Sequence, residues 1–126
     1  DLQPIITPED IVQAQEDVNK VYLAEELEGY IVSIIDATRN PDKYGIEKGK
    51  YIAYGASPRS TISMFIASKA RALVNGRGYV TPHDMKGVAR AVLRHRLILN
   101  YEGQAEQITS DMIIDEILSK VPIHSK

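Results

Sequence analysis

The sequence predicts an all-α bundle of about five helices, on three observations. Apolar residues recur at three- and four-residue steps in several segments, the period of a helix buried along one face. Ser or Thr is followed at once by Pro at Thr7-Pro8, Ser57-Pro58 and Thr81-Pro82, which joins a capping side chain to a rigid first turn. Phe65 is the one phenylalanine and tryptophan is absent, so Ile, Leu, Val, Ala and Met must build the core, with Tyr at its margin.

The elements follow in chain order. A first helix is expected from Pro8 to about Val18, with Ile11, Val12 and Ala14 apolar and Asp10 at the third helical position, where a carboxylate favours the helix dipole. From Ala24 to Arg39, Leu27, Tyr30, Ile31, Ile34 and Ile35 form the clearest core stripe. Residues 40–56 hold Asn40-Pro41, Gly45, Gly49 and Gly55 and read as a long connection, with Tyr51-Ile52-Ala53-Tyr54 as a short extended piece. The helix from Pro58 to Asn75 is capped by Ser57, is expected to bury Ile62, Phe65, Ile66, Ala70 and Leu73, and stops at Gly76. The next, from Pro82 to about His95, is capped by Thr81 and Asp84 and is expected to bury Met85, Val88, Ala89, Val92 and Leu93. The last, Ser110 to Lys120, uses Ile113, Ile114, Ile117 and Leu118.

Length and composition suit one domain over residues 1–126: 44% of residues are apolar and 25% charged, far from the signature of disorder. The net charge of −2 gives no global field for nucleic acid, so an anion site must be local. Without cysteine there is neither a disulfide framework nor thiolate chemistry, which suits a reducing compartment. No apolar run is long enough to cross a bilayer, and Asp1 to Thr7 lacks the basic start and apolar centre of a signal peptide. A cytoplasmic protein is expected, with no membrane partner.

Several motifs fail on their chemistry. GIEKGKY, residues 45–51, places three residues rather than four between its glycines and Tyr51 where a phosphate-binding loop needs a Mg²⁺-binding hydroxyl. His83, His95 and His124 have no partner at metal-ligand spacing, so no metal site is expected. Ser57, Ser60 and Ser63 lack a nucleophile motif and a base. RAVLRHR sets Arg90 and Arg94 one turn apart with Arg96 beyond, which reads either as a solvated helix end or as a contact for phosphate or an acidic partner.

GASPRSTIS, residues 55–63, carries the sharper signal. A positive Arg59 in a first turn faces the positive end of the helix dipole, an arrangement unfavourable by about 0.3–1 kcal/mol when exposed. One reading is a surface arginine with its stem on Tyr54 or Ile62. The other is an anion site: free N–H groups at a helix start attract phosphate, and a guanidinium there adds two parallel donors.

The stretch GASPRSTISMFIASKARALVNGRGYVTPHDMKGVARAVLRHRLIL resembles the C-terminal lid domain of MoxR-type AAA+ ATPases, with VYLAEELEGYIVSIIDATRNP and ITSDMIIDEILSKVP similar to its flanking helices. The resemblance implies an AAA+ lid fold in which Arg59 is the sensor 2 arginine reaching ATP phosphates, with Ser57, Pro58 and Ile62 beside the nucleotide. It also implies ATP and Mg²⁺ held by an AAA+ core, subunits in a hexameric ring, and von Willebrand factor A domain proteins as partners in chaperone-like maturation. Walker A, Walker B and arginine-finger segments are absent from these residues, so the chain reads as the lid without its ATPase core. Alone, it is expected neither to hydrolyse ATP nor to bind it tightly. Two competing readings are a helical nucleic-acid module using Arg90, Arg94 and Arg96, and a structural oligomerisation domain.

Overall fold

A computed structural model of the chain describes residues 8–123. Thr7 and His124 lie outside them, as do the side chains of Asp10, Ile11 and Ala14. Within the described residues the order is α1 (Pro8–Lys20), α2 (Glu25–Arg39), two 3₁₀ turns (Pro41–Tyr44 and Glu47–Tyr51), β1 (Ile52–Tyr54), α3 (Arg59–Val74), α4 (Pro82–Leu93), β2 (Ile98–Leu99), α5 (Tyr101–Ala105) and α6 (Ser110–Lys120). No helix among them is long and apolar enough to cross a membrane.

The core sits around α2, whose predicted stripe of Leu27, Tyr30, Ile31, Ile34 and Ile35 is buried together with Ala37 and Thr38. Met85, Ala89 and Leu93 of α4 and Ile113, Ile114 and Ile117 of α6 belong to the same core, all fully buried, as do Met64 and Ala72 of α3. Each fully buried Ile, Leu or Met side chain contributes about 1.5–3 kcal/mol relative to exposure.

α3 departs from the expected stripe. Its core face is Ser60, Met64, Ser68 and Ala72, with Phe65 and Ala70 half-buried, while Ile62, Ile66 and Leu73 are 60%, 54% and 36% exposed. The helix is apolar on more than one side, and small residues four apart let its backbone come close to its neighbours, so tight packing selects the face with less hydrocarbon. Gly76, at φ +77°, ends α3 as predicted: Arg77 N–H bonds to the Ala72 carbonyl and Gly76 N–H to that of Leu73, both at 2.9 Å.

The predicted extended piece is β1, which pairs antiparallel with β2, Ile52 opposite Leu99 and Tyr54 opposite Ile98. Tyr51 instead ends the preceding 3₁₀ turn. β2 and the five-residue α5 were not expected, so the described chain has six α-helices rather than five. The connection before β1 is well tied. Glu116 of α6 accepts from the backbone N–H groups of Glu47 (2.6 Å) and Lys48 (2.9 Å) and from Lys120 Nζ (2.7 Å). Burial opposes the charge on Glu116, yet Lys120 and the two amides hold its carboxyl below the usual carboxylate range.

Candidate functional site

The start of α3 is set from behind by the end of α2. Thr38 is 1% exposed; its hydroxyl donates to the Ile35 carbonyl (2.7 Å) and accepts the N–H of Ala56 (3.0 Å), itself buried. Arg39 Nη1 reaches the Ala56 carbonyl at 3.4 Å. Gly55 runs so close to α2 that an added Cβ would lie 2.3 Å from the Thr38 carbonyl oxygen. The chain leaving β1 is therefore gripped at two consecutive residues immediately before the helix.

From that grip the backbone turns through Ser57 and Pro58 into α3. Pro58 is already helical (φ −56°, ψ −24°), and i+3 bonds run from Ser60 N–H to the Ser57 carbonyl (2.9 Å) and from Thr61 N–H to the Pro58 carbonyl (3.1 Å). Ser57 thus contributes its carbonyl and not its side chain, which corrects the expected cap: tightening into a 3₁₀-type turn satisfies the first donors before a hydroxyl is needed. Ser57, Pro58, Arg59 and Ile62 are all exposed, and the 16-residue helix behind them brings its positive end to this surface.

Arg59 differs from every other arginine of the chain. Arg71 and Arg77 face Asp84, Arg90 bonds to Asp115, Arg94 to Asp111, Arg39 to the Ala56 carbonyl and Arg96, at 3.5 Å, to Ser60 Oγ. Among the described residues the Arg59 side chain has no hydrogen bond or ion pair. A charged donor fork in an unfavourable first turn, left without a counterion, is what an external anion would complete.

The α3–α4 hairpin that carries this end is pinned at its far side by Asp84, which is fully buried. Its carboxylate accepts from the Thr81 N–H (2.8 Å) and hydroxyl (3.1 Å), closing the predicted capping box, and pairs with Arg77, while Arg71 Nε stands 3.6 Å away. Gly87 leaves room for the Arg71 guanidinium to lie over α4. Burial works against ionisation, but the Thr81 and Arg77 hydrogen bonds outweigh it and keep the carboxyl below the usual range.

The second candidate cluster is not left open as a basic face. Arg94 reaches Asp111 through two bonds of 2.9 and 3.1 Å, and Arg90 grips Asp115, so both tie α4 to α6. The Arg94 pairing lowers the Asp111 pKa. Among the described residues no three His, Asp or Glu side chains converge as metal ligands; His83 and His95 are exposed. The sequence singles out Arg59 as a candidate and gives no sign of Thr38, whose bond to Ala56 spans 18 residues and is encoded by no local pattern.

Residues 47–117 match the AAA lid domain family. The chaperone MoxR1 of Mycobacterium tuberculosis is 36% identical over 120 residues, covering 94% of this chain and 32% of that protein. The protein MoxR of Methylorubrum extorquens is 32% identical over 94 residues, 69% of this chain and 27% of that one. A crystal structure of a Cytophaga hutchinsonii protein provisionally described as an ATPase superposes with a TM-score of 0.89 at 46% identity, over 93% of this chain and 36% of that chain. The chain spans about a third of the length of these relatives.

Proposed function

The chain belongs to the AAA lid domain family, as a MoxR-type member, and from that premise we propose that it is the lid of an AAA+ ATPase, with Arg59 its sensor 2 arginine. The observation that supports this is the unpartnered Arg59 guanidinium at the start of a long helix whose backbone is held from α2. The helix end and the guanidinium supply positive potential and two parallel donors, suited to the oxygens of a phosphate chain. Ser57, Pro58 and Ile62 form the surface around it.

In this reading ATP, with Mg²⁺, is held by the AAA+ core of the full-length protein and supplies the phosphoryl group transferred to water. Arg59 binds and orients phosphate oxygens and balances the charge that develops on them, the work of an arginine brought from a second domain. The hairpin of α3 and α4 moves as one rigid piece, so closing and opening at the nucleotide is passed to whatever the lid touches. Neighbouring subunits of a hexameric ring receive that movement, and von Willebrand factor A domain proteins are proposed partners of a chaperone-like machine in the cytoplasm. The Arg90–Asp115 and Arg94–Asp111 pairs favour a structural role for that cluster over nucleic-acid binding.

Arg59→Ala in the full-length protein is expected to lower ATP turnover about 10- to 100-fold, the scale of one lost charged contact in the transition state, with circular dichroism unchanged because the side chain is exposed. Wild-type turnover in a folded Arg59→Ala protein would rule the role out.

A further inference from the structure

We infer that Thr38 is a positioning residue for Arg59, an inference that rests on the phosphate-contact reading above. The Thr38 hydroxyl has one proton, and it is committed to the Ile35 carbonyl at 2.7 Å. Its lone pairs are therefore what face the Ala56 N–H, at 3.0 Å. The relay is directional and dry: Thr38 is 1% exposed and Ala56 fully buried. Three residues beyond Ala56 the chain reaches Arg59, with Pro58 restricting the backbone between them. Arg39 Nη1 reaches the carbonyl of the same residue at 3.4 Å, so both polar groups of Ala56 have a partner at the end of α2.

A misplacement of about 1 Å can cost a catalytic contact on the order of 100-fold, and exposed Arg59 has no side-chain partner of its own to place it. Its placement comes from the backbone, and the backbone is set at Ala56. Thr38 thus governs how the arginine is presented while touching neither the arginine nor its ligand.

The test uses the full-length protein and compares Thr38→Val, which keeps the shape and removes the hydroxyl, with Thr38→Ser, which keeps the hydroxyl. Thr38→Val is expected to lower ATP turnover about tenfold and Thr38→Ser by no more than about twofold. In an Arg59→Ala background Thr38→Val is expected to produce no further loss. Deuterium uptake by a peptide spanning residues 53–62, measured without nucleotide, is expected to rise in Thr38→Val and not in Thr38→Ser. Unchanged turnover in Thr38→Val, the same fold-loss with and without Arg59, or unchanged uptake would each overturn the inference. Failure of the underlying reading is separate and is seen as full turnover in Arg59→Ala itself. If Thr38→Val does not fold, Arg39→Ala carries the test at an exposed side chain: a two- to threefold loss, by order of magnitude, that vanishes in the Arg59→Ala background supports the inference, and no loss overturns it.

Discussion

Asp84→Ala is expected to destabilise the chain by about 3 kcal/mol, seen in urea unfolding as a lower midpoint and in heating as a fall of roughly 10–20 °C in Tm. The carboxylate is fully buried and serves two structures at once. It closes the capping box of α4 by accepting the Thr81 N–H, and it neutralises Arg77 and Arg71 where the α3–α4 connection folds back. Losing the cap costs about 1 kcal/mol. The rest comes from leaving two guanidinium groups facing a hole, at the low end for a broken buried pair because both arginines keep some solvent contact. A change below about 0.5 kcal/mol would show that the pair is incidental.

The same group gives a pH dependence of definite sign. The folded-state pKa of Asp84 is lowered, as is that of Glu116, so the folded protein binds fewer protons than the unfolded chain in the acid range. Their contribution is therefore fully present above the ordinary carboxylate pKa and is lost as pH falls through the lowered values. Acid titration of urea stability is expected to show a steep loss in that window, shallower in the Asp84→Ala variant.

Gly55→Ala is expected to cost about 2–3 kcal/mol and to reduce ATP turnover in the full-length protein as well. The new Cβ would stand 2.3 Å from the Thr38 carbonyl oxygen and 2.6 Å from its carbon, both backbone atoms of a helix packed in the core. No rotamer can relieve that contact, so either the end of α2 or the approach to α3 must move. Gly29, in the middle of α2, is the control: an added Cβ meets nothing within 4 Å, and Gly29→Ala is expected to stabilise the chain by about 0.5–1 kcal/mol through helix propensity. Equal effects at the two glycines, measured by urea unfolding, would show that close approach to Thr38 does not matter.

These cases mark where the sequence speaks and where it is silent. α2, α4 and α6 place most of their apolar residues on one side, Val32 and Met112 being the large exposed exceptions, so periodicity identified the buried face, and the Thr81-Asp84 box was legible because both partners lie within one turn. α3 has isoleucines on the side its packing does not use, and beside Met64 its core face is made by Ser60, Ser68 and Ala72, small residues that a search for bulky apolar side chains passes over. α5 is too short to show a period, and β2 exists because β1 lies beside it. At the candidate site, Arg59 stood out because it opposes a local rule, the dipole preference of a first turn. Its surroundings did not: Thr38, Arg39 and Gly55 meet the start of α3 through contacts across the fold that no local pattern encodes.

The most direct measurement is a structure of the full-length protein with a non-hydrolysable ATP analogue and Mg²⁺. The account predicts the Arg59 guanidinium about 3 Å from a phosphate oxygen of that nucleotide, on the same or the adjoining subunit. Nucleotide bound with Arg59 still in solvent, or with a different lid arginine at the phosphates, would contradict it.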